Sequence, residues 1–232
     1  LLIIGCNSKI AKYLKKYLKK DYYLLADKKK GFDYCINLNH IKEIDLHKNI
    51  SHAVILSGFT NIEFCDQNPK LAQIINGENT IRLINILNAK GIRVLFPSST
   101  CVFPSKSRNN FFEYSQTNSD NVYGQIKAYV ENNIIGNNLN TILRISKIIT
   151  PEDTLITTWK KDLKNKKEIN PFYDLRIAPT SVLTVAKFIS EWFLNDFNGI
   201  VHLSPSTDIT YFELANELCS FLLIDKSFVK AN

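Results

Sequence analysis

A tyrosine and a lysine in this chain stand at a spacing that could support acid–base chemistry. Tyr123 and Lys127 are four residues apart, and positions i and i+4 share one face of a helix. An ammonium group near a phenol favours the phenolate, so the pair predicts a tyrosine pKa below the ordinary value of about 10. Such a phenol can exchange a proton with a carbonyl or alcohol oxygen. The alternative is an exposed helix with a solvated lysine, because this spacing also arises by chance in lysine-rich helices.

Three hydroxyl residues upstream could hold the same oxygen. Ser98, Ser99 and Thr100 follow the apolar run at residues 92–97, which is typical of a buried strand. A hydroxyl at a strand end, beside a tyrosine and a lysine on the next helix, suits hydride transfer to or from a nicotinamide. These residue types therefore indicate an NAD or NADP cofactor.

The order of the predicted strands and helices indicates the fold in which these residues lie. Apolar runs typical of buried parallel strands occur at residues 1–5, 22–26, 52–56, 92–97 and 141–145. Helical patterns separate them, at 8–20, at 69–90 and around Tyr123. This alternation predicts an α/β fold of the Rossmann type, with a doubly wound parallel sheet. We predict a dinucleotide-binding domain over residues 1–145 and an interleaved, incomplete substrate-binding region over residues 146–232.

The turn after the first predicted strand is a reduced form of the glycine-rich dinucleotide fingerprint. Gly5 keeps the first glycine, whereas Ser8 and Ala11 stand where the other two occur. Small residues still let the backbone approach a pyrophosphate, and the helix N-terminal amides would face it. An ordinary strand–helix turn without a ligand is the alternative.

Two opposed signals for the cofactor follow the second predicted strand. Asp27 stands about 20 positions after the fingerprint, where a carboxylate binds the ribose 2′-hydroxyl of NAD. Lys28, Lys29 and Lys30 come directly after it. They could accept the 2′-phosphate of NADP or form a solvated turn. The choice between NAD and NADP is open at this point.

The chain resembles the extended short-chain dehydrogenase/reductases, and within them the dTDP-4-dehydrorhamnose reductase-like branch that binds sugar nucleotides. The resemblance extends from Gly5 to Phe212, and its motifs lie at the Gly5 turn and at residues 56–60, 76–80, 98–103, 123–127, 143–144 and 174–180. It implies an NAD(P)H-dependent reductase acting on a keto group of a nucleotide-activated sugar in polysaccharide biosynthesis.

The resemblance also implies roles for the matching positions. Ser99 would hydrogen-bond the reacting oxygen, and Tyr123 would donate the proton. Lys127 would hold the nicotinamide ribose and lower the Tyr123 pKa, and Asn76 would be structural or part of a proton relay. The other residues expected to line the cofactor site are Gly5, Asn7, Ser8, Ile10, Asp27, Leu56, Ser57 and Gly58.

Three further polar residues are candidates for substrate binding: Ser98, Thr100 and Arg176. Arg176 is a candidate for the substrate's phosphates because a guanidinium group matches phosphate oxygens, although a surface arginine in a loop is an equal alternative. Beyond residue 146 the pattern predicts a basic helix at 159–167, a short strand at 200–203 and a helix at 210–223. Thr210 would be the N-cap of that last helix, with Glu213 completing a capping box.

Two other functions use the same residues. A nucleotide-sugar epimerase with tightly bound NAD returns its hydride to the sugar, so the tyrosine–lysine pair does not separate it from a reductase. A non-catalytic, dinucleotide-binding regulatory subunit is the third hypothesis, and the reduced glycine turn favours it. Against it, a pure binding module has no physical need for Ser99, Tyr123 and Lys127 together.

The composition fits a protein of the reducing cytoplasm. Five cysteines without paired spacing argue against a disulfide framework, and four scattered histidines give no metal-ligand spacing. The net charge of +7 comes from dispersed lysines without interleaved aromatics, so we expect no nucleic-acid partner. No run approaches the ~18 apolar residues that span a bilayer, so we expect no membrane partner. A homodimer is compatible with these features.

Overall fold

The computed structural model describes residues 1–41, 44–46, 49–105, 110–195 and 197–232. The chain forms two compact units, the first from Leu1–Ile145 and Leu183–Leu203 and the second from Ser146–Val182 and Ser204–Asn232. The predicted border at residues 145 and 146 lies where the chain first passes from one unit to the other. Residues 183–203, which the prediction placed in the C-terminal region, return to the first unit because they supply its edge strand.

Strands and helices alternate along the first part of the chain, as the apolar runs predicted. The strands are β1 (Leu2–Ile4), β2 (Leu24–Asp27), β3 (Tyr34–Cys35), β4 (His52–Ile55), β5 (Arg93–Ser99), β6 (Asn140–Ile145), β7 (Lys147–Ile149), β8 (Arg176–Ile177), β9 (Pro179–Ser181), β10 (Gly199–Leu203) and β11 (Ile209–Thr210). The α-helices are α1 (Lys9–Leu14), α2 (Ile62–Gln67), α3 (Pro69–Ala72), α4 (Asn79–Ala89), α5 (Val122–Ile134), α6 (Thr154–Lys164), α7 (Val182–Asn195) and α8 (Tyr211–Leu222).

A parallel sheet of seven strands lies at the centre of the first unit. Its order is β10-β6-β5-β4-β1-β2-β3, and every neighbouring pair is parallel. The strand order therefore reverses between β1 and β4, which is the point where doubly wound sheets bind ligands at the carboxyl ends of their strands. The fold class is the one that the sequence predicted.

The core of the first unit forms because alternate strand residues share one face of the sheet. Ile4 of β1, Ile55 of β4 and Phe96 of β5 belong to one buried cluster, with Leu83 of α4 and Val130 of α5. Burying such side chains contributes about 1.5–3 kcal/mol each. The packing of α4 and α5 over the sheet thus sets where their polar residues lie at its edge.

The predicted strands are present with their ends moved by one or two residues, whereas the first predicted helix is shorter than expected. Helix α1 ends at Leu14, although the apolar pattern continued to residue 20. Lysines four apart, such as Lys15 and Lys19, repel each other on a helix surface and weaken its continuation. Tyr17, which lies beyond the end of α1, is 44% exposed.

The long helix predicted at residues 69–90 is interrupted. Pro69 begins α3, a π-helical segment spans Gln73–Glu78, and α4 follows from Asn79. Such segments insert a residue into the helical ladder and occur frequently at functional sites. This segment carries Asn76. The sequence pattern did not indicate α2, α7 or β3.

The second unit has its own small core. Trp159 and Leu163 of α6 pack in one buried cluster with Ala215 and Cys219 of α8. The predicted capping box is confirmed, because the Thr210 hydroxyl accepts from the Glu213 N–H at 3.0 Å and the Glu213 carboxylate accepts from the Thr210 N–H at 2.6 Å. Within the described ranges, no helix combines the length and the apolar character that crossing a membrane requires.

Candidate active site

Ser99 lies at the carboxyl end of β5, next to the switch point of the sheet. Its hydroxyl accepts a hydrogen bond of 3.1 Å from the Cys101 N–H and so caps the 3₁₀ turn Thr100–Val102. A hydroxyl that accepts one hydrogen bond keeps its own hydrogen for donation. The half-buried Ser99 can therefore donate to an oxygen placed at the strand end, and Thr100 lies beside it, also half-buried.

Ser98 occupies a different environment from its neighbour. Successive strand residues point to opposite faces, and Ser98 is only 4% exposed. Its hydroxyl oxygen is buried and has no hydrogen-bond partner among the described residues. This burial gives no support to the predicted contact between Ser98 and a substrate.

Tyr123 and Lys127 lie one turn apart on α5, as their spacing predicted. The helix begins after Asn121, whose side-chain oxygen accepts a 2.8 Å hydrogen bond from the Gly124 N–H. The Lys127 Nζ lies 5.7 Å from the centroid of the Tyr123 ring and 4.4 Å from that of the Phe96 ring. It donates a 2.7 Å hydrogen bond to the Pro97 carbonyl oxygen of β5.

Gly124 lets the start of α5 pack directly on the turn after Ser99. A Cβ atom at this position would lie 2.0 Å from the Cys101 carbonyl oxygen and 2.2 Å from the Ser119 hydroxyl oxygen. Only glycine can occupy a helix position so close to another backbone. Gly124 was not among the predicted site residues, although a glycine inside a helical pattern is a signal of close packing.

The acid–base properties of the pair differ from the prediction. Burial raises the pKa of Tyr123 above its ordinary value, and the Cys101 and Cys65 thiols act in the same direction. Burial also lowers the pKa of Lys127 to about 8, against the opposing effects of Glu131 and Cys65. The predicted lowering of the Tyr123 pKa is wrong, because desolvation of the phenol outweighs the lysine, whose ammonium is bound to Pro97.

Gly5 brings the carboxyl ends of three strands together at the switch point of the sheet. Its φ is +82°, and its N–H donates to the Ala26 carbonyl of β2 at 2.9 Å. A Cβ atom here would lie 2.6 Å from the Ser57 hydroxyl oxygen and 2.7 Å from the Leu56 backbone. The predicted cofactor residues Leu56 and Ser57 are therefore adjacent to Gly5.

The predicted ribose-binding residue is joined to the same turn. Asn7 Nδ2 donates to Asp27 Oδ2 at 3.0 Å, and the other carboxylate oxygen accepts from the Lys29 N–H at 3.4 Å. Ser8 caps α1 by accepting from the Ala11 N–H at 3.2 Å. Ile10 is half-buried within α1. The structure thus brings the turn, Asp27 and the segment after β4 to one edge of the sheet.

Asn76 holds the segment that follows β4. Its Nδ2 donates to the Phe59 carbonyl at 2.7 Å, and its Oδ1 accepts from the Phe59 N–H at 2.8 Å. A Cβ atom at Gly58 would lie 2.7 Å from the same Oδ1. Of the two roles implied by the resemblance, these contacts favour the structural one.

Arg176 lies in the second unit. It is exposed at the start of β8, and its guanidinium donates to the Asp208 carbonyl oxygen. Its predicted contact with substrate phosphates stays a prediction. In the described part of the chain, no group of three or more His, Cys, Asp or Glu side chains could hold a metal ion.

Sequence comparisons relate the whole chain to one family. A family model described as the RmlD substrate binding domain matches residues 1–232. A dTDP-4-dehydrorhamnose reductase of Sinorhizobium fredii is 25% identical over 230 residues, which cover 95% of this chain and 77% of that protein.

Solved structures share the fold over nearly the full chain. A dTDP-4-dehydrorhamnose reductase of Clostridium acetobutylicum has a TM-score of 0.83 at 19% identity. The matched region covers 100% of this chain and 82% of the C. acetobutylicum chain. The Bacillus anthracis enzyme of that name, in complex with NADP, has a TM-score of 0.84 at 20% identity. The match covers 99% of this chain and 82% of the B. anthracis chain. A UDP-N-acetylglucosamine 4-epimerase of Methanobrevibacter ruminantium has a TM-score of 0.83 at 15% identity. The match covers 99% of this chain and 83% of the epimerase chain. These structures share the fold, and they include both reductases and an epimerase.

Proposed function

Because this chain belongs to the RmlD substrate binding domain family, we propose that it is a nicotinamide-dependent reductase acting on a keto group of a nucleotide-activated sugar. The observation that carries the proposal is the position of Tyr123 and Lys127 on one face of α5, which packs against the end of β5 where Ser99 lies. The S. fredii relative, a dTDP-4-dehydrorhamnose reductase, supports the substrate class.

The nucleotide side of the site fits a nicotinamide dinucleotide. Gly5 lets the segment after β4 approach the turn closely, at the point where the strand order reverses. Asp27 stands at the end of β2, where it could bind a ribose hydroxyl. When bound, the cofactor supplies a hydride to the substrate's carbonyl carbon. The residues present would hold its pyrophosphate at the Gly5 turn and its adenosine ribose near Asp27.

The protein's own groups supply the proton and hold the oxygen. The Tyr123 phenol is protonated at neutral pH and can serve as the proton donor, although burial raises its pKa and makes it a weaker acid than an exposed tyrosine. The Ser99 hydroxyl can donate a hydrogen bond to the same substrate oxygen. Lys127, with a pKa of about 8, is mainly protonated at neutral pH. In the described part of the chain one of its three N–H donors binds Pro97, so the other two could bind the nicotinamide ribose.

The protonated Tyr123 phenol is suited to one step of the reaction. It can give its proton to the alkoxide that forms when a hydride reaches the carbonyl carbon, as the reduction of a keto group requires. An epimerase would need the same groups to remove and return a proton in each cycle. Thr100 and Arg176, half-buried and exposed respectively, are our candidates for contacts with the remainder of the sugar nucleotide.

The proposal is tested by following the absorbance of reduced nicotinamide while the chain acts on a dTDP-4-dehydro-sugar. Stoichiometric loss of absorbance with reduced product supports the reductase. Constant absorbance with an isomerised product supports an epimerase. Calorimetric titration with NADH and NADPH, well above typical micromolar affinities, provides the second measurement. Binding of neither would contradict both enzyme hypotheses and leave the regulatory subunit.

The same titration decides the cofactor. Alanine at Lys28, Lys29 and Lys30 together should weaken NADPH binding selectively if these exposed lysines bind the 2′-phosphate. Asp27→Ala should weaken NADH binding selectively if the carboxylate binds the 2′-hydroxyl. The NADP complex of the B. anthracis structure supports the first outcome, whereas the bond between Asp27 and Asn7 at the turn supports the second.

A further inference from the structure

A buried ion pair lies on the same helix face as the proposed proton-transfer residues. Glu131 and Arg144 have side chains that are 2% and 3% exposed. Arg144 Nη2 donates to Glu131 Oε2 at 2.7 Å, and its Nε lies 3.2 and 3.1 Å from the two carboxylate oxygens. Taking two charges out of water costs several kcal/mol per ion, so such a pair is a weak means of stabilising a fold. A role in the site is a better explanation for its position.

The remaining contacts of Arg144 hold the guanidinium in one orientation. Nη1 donates to the Glu113 carbonyl oxygen at 3.1 Å and lies 3.2 Å from His202 Nε2. The guanidinium carbon is 5.0 Å from the centroid of the Phe103 ring. Arg144 is therefore a fixed point against which the Glu131 carboxylate is held.

The pair connects the two elements that carry the candidate residues. Glu131 lies one turn after Lys127 and two turns after Tyr123 on α5, so all three share one face of the helix. Arg144 of β6 pairs in register with Ser98, and the next residue pairs with Ser99. The bridge between Glu131 and Arg144 thus fixes how α5 is rotated relative to the strand end that carries Ser99.

We propose that Glu131 and Arg144 are positioning residues for Lys127: the pair fixes the rotation of α5 and places a carboxylate one helical turn from the buried ammonium. This inference rests on the proposed function, because the ion pair can serve the reaction only if Lys127 takes part in it. Neither residue contacts the reacting atoms in this assignment. They act through Lys127.

Among the residues that the structure describes, Glu131 is the main charged neighbour of Lys127. Its own helix contributes Tyr123 and Glu131, and α2 contributes the Cys65 thiol, while β5 offers the uncharged Pro97 carbonyl and Phe96 ring. Burial lowers the Lys127 pKa, and Glu131 is the largest influence in the opposite direction. Without the carboxylate, the Lys127 pKa should fall further and the ammonium should lose its proton near neutral pH.

The test is a titration of Lys127 by NMR, with ¹³C-labelled lysine and the Cε signal assigned by its loss in Lys127→Arg. The intact chain should titrate at about 8. Glu131→Gln should lower the midpoint by about one pH unit or more, a tenfold change in proton affinity. Since Glu131→Gln leaves Arg144 buried and unpaired and could fail to fold, the paired variant Glu131→Leu with Arg144→Met removes both charges together. It should lower the midpoint by less than Glu131→Gln does, because the Arg144 cation is removed together with the carboxylate.

A matched control is available on α7. Glu191 forms an exposed ion pair with Lys187 at 3.7 Å, with side chains 52% and 65% exposed. Glu191→Gln removes the same charge from a solvated site and should leave the Lys127 titration unchanged. If Lys127 titrates at the same pH in the folded Glu131 variants as in the intact chain, the inference is overturned.

This result is independent of the proposed function because the titration needs neither substrate nor cofactor. An intact chain without reductase activity would overturn the proposed function, and the titration would still decide whether Glu131 sets the proton affinity of Lys127. If the reductase activity is present, the paired variant should lower kcat at pH 7 about tenfold and move the alkaline limb of the pH–rate profile to lower pH. Retention of the intact chain's pH–rate profile would count against the inference, since a purely structural role would leave the profile's shape unchanged.

Discussion

Lys127 donates its 2.7 Å hydrogen bond to the Pro97 carbonyl oxygen and makes no hydrogen bond with the Tyr123 phenol in the described structure. The bond joins the middle of α5 to the end of β5. The ammonium is thereby held near the Ser99 strand end, 5.7 Å from the Tyr123 ring centroid. Lysine and tyrosine are therefore arranged to meet a third group together, rather than to exchange a proton with each other.

Tyr123→Phe should lower turnover by a factor of about 10² to 10⁴, because phenylalanine has no proton to give. The fold should be retained, since the ring still packs against Cys65, Ala72 and Ile126. Steady-state kinetics and thermal unfolding measure the two effects separately. Tyr129→Phe, at a 41% exposed position on the same helix, is the matched control and should keep normal turnover. Near-normal turnover in Tyr123→Phe would contradict the catalytic assignment.

The stability of the protein should rise with pH between about 8 and 10.5 through Lys127. The folded-state pKa is about 8 and the ordinary value is 10.5, so in this window the unfolded chain binds a proton that the folded chain does not. Stability rises with pH wherever the unfolded state binds more protons. Denaturant titrations across this range should show the increase in the intact chain and not in Lys127→Met. Parallel curves for the two proteins would show that the lysine is not desolvated.

Tyr123 should have the opposite effect above pH 10. Its folded-state pKa is raised by burial, so above its ordinary value of 10 the folded chain keeps a proton that the unfolded chain loses. The stability that the neutral phenol contributes is therefore lost as the pH rises above 10. Comparison of unfolding free energies for the intact chain and Tyr123→Phe isolates this contribution. An equal pH dependence in both would mean that the phenol is solvated in the folded state.

Asn76→Ala should destabilise the chain by about 2 kcal/mol or more, because it removes two hydrogen bonds and leaves the Phe59 backbone groups unpaired. Chemical denaturation measures the loss. Asn133→Ala is the control, since Asn133 is exposed and bonds only the Tyr129 carbonyl among its described contacts. Its cost should stay within about 0.5 kcal/mol. Similar costs for both variants would argue that Asn76 does not hold the segment after β4.

Gly124→Ala should destabilise the chain by about 1–3 kcal/mol through overpacking, although alanine is the better helix former by about 1 kcal/mol. The added methyl group would meet the Cys101 carbonyl, a backbone atom that cannot move aside alone. Gly136→Ala is the control, because a Cβ atom there meets nothing within 4 Å. Thermal unfolding of the two variants should diverge. A neutral Gly124→Ala would show that α5 can shift away from the turn after Ser99.

Local periodicity explains why much of the fold could be predicted from the sequence. The runs that became β1, β4, β5 and β6 are rich in apolar residues and are buried along most of their length, as strands covered by helices on both sides must be. Two predicted helices differ in length from the observed ones. Helix α1 ends at Leu14, where lysines repel one another, and the helix predicted at residues 69–90 is interrupted by the π-helical segment that carries Asn76. Edge strands of two residues, such as β3, carry too little pattern to be recognised.

The sequence by itself determined that Tyr123 and Lys127 share a helix face and that Ser99 follows a buried strand. Both depend on spacing and polarity within a few neighbouring residues. Only the tertiary structure decided that burial raises the Tyr123 pKa, that Lys127 binds Pro97 and that Asn76 bridges Phe59. The last two join residues 30 and 17 positions apart. Desolvation and such contacts arise when separate elements pack together, so no local pattern in the chain contains them.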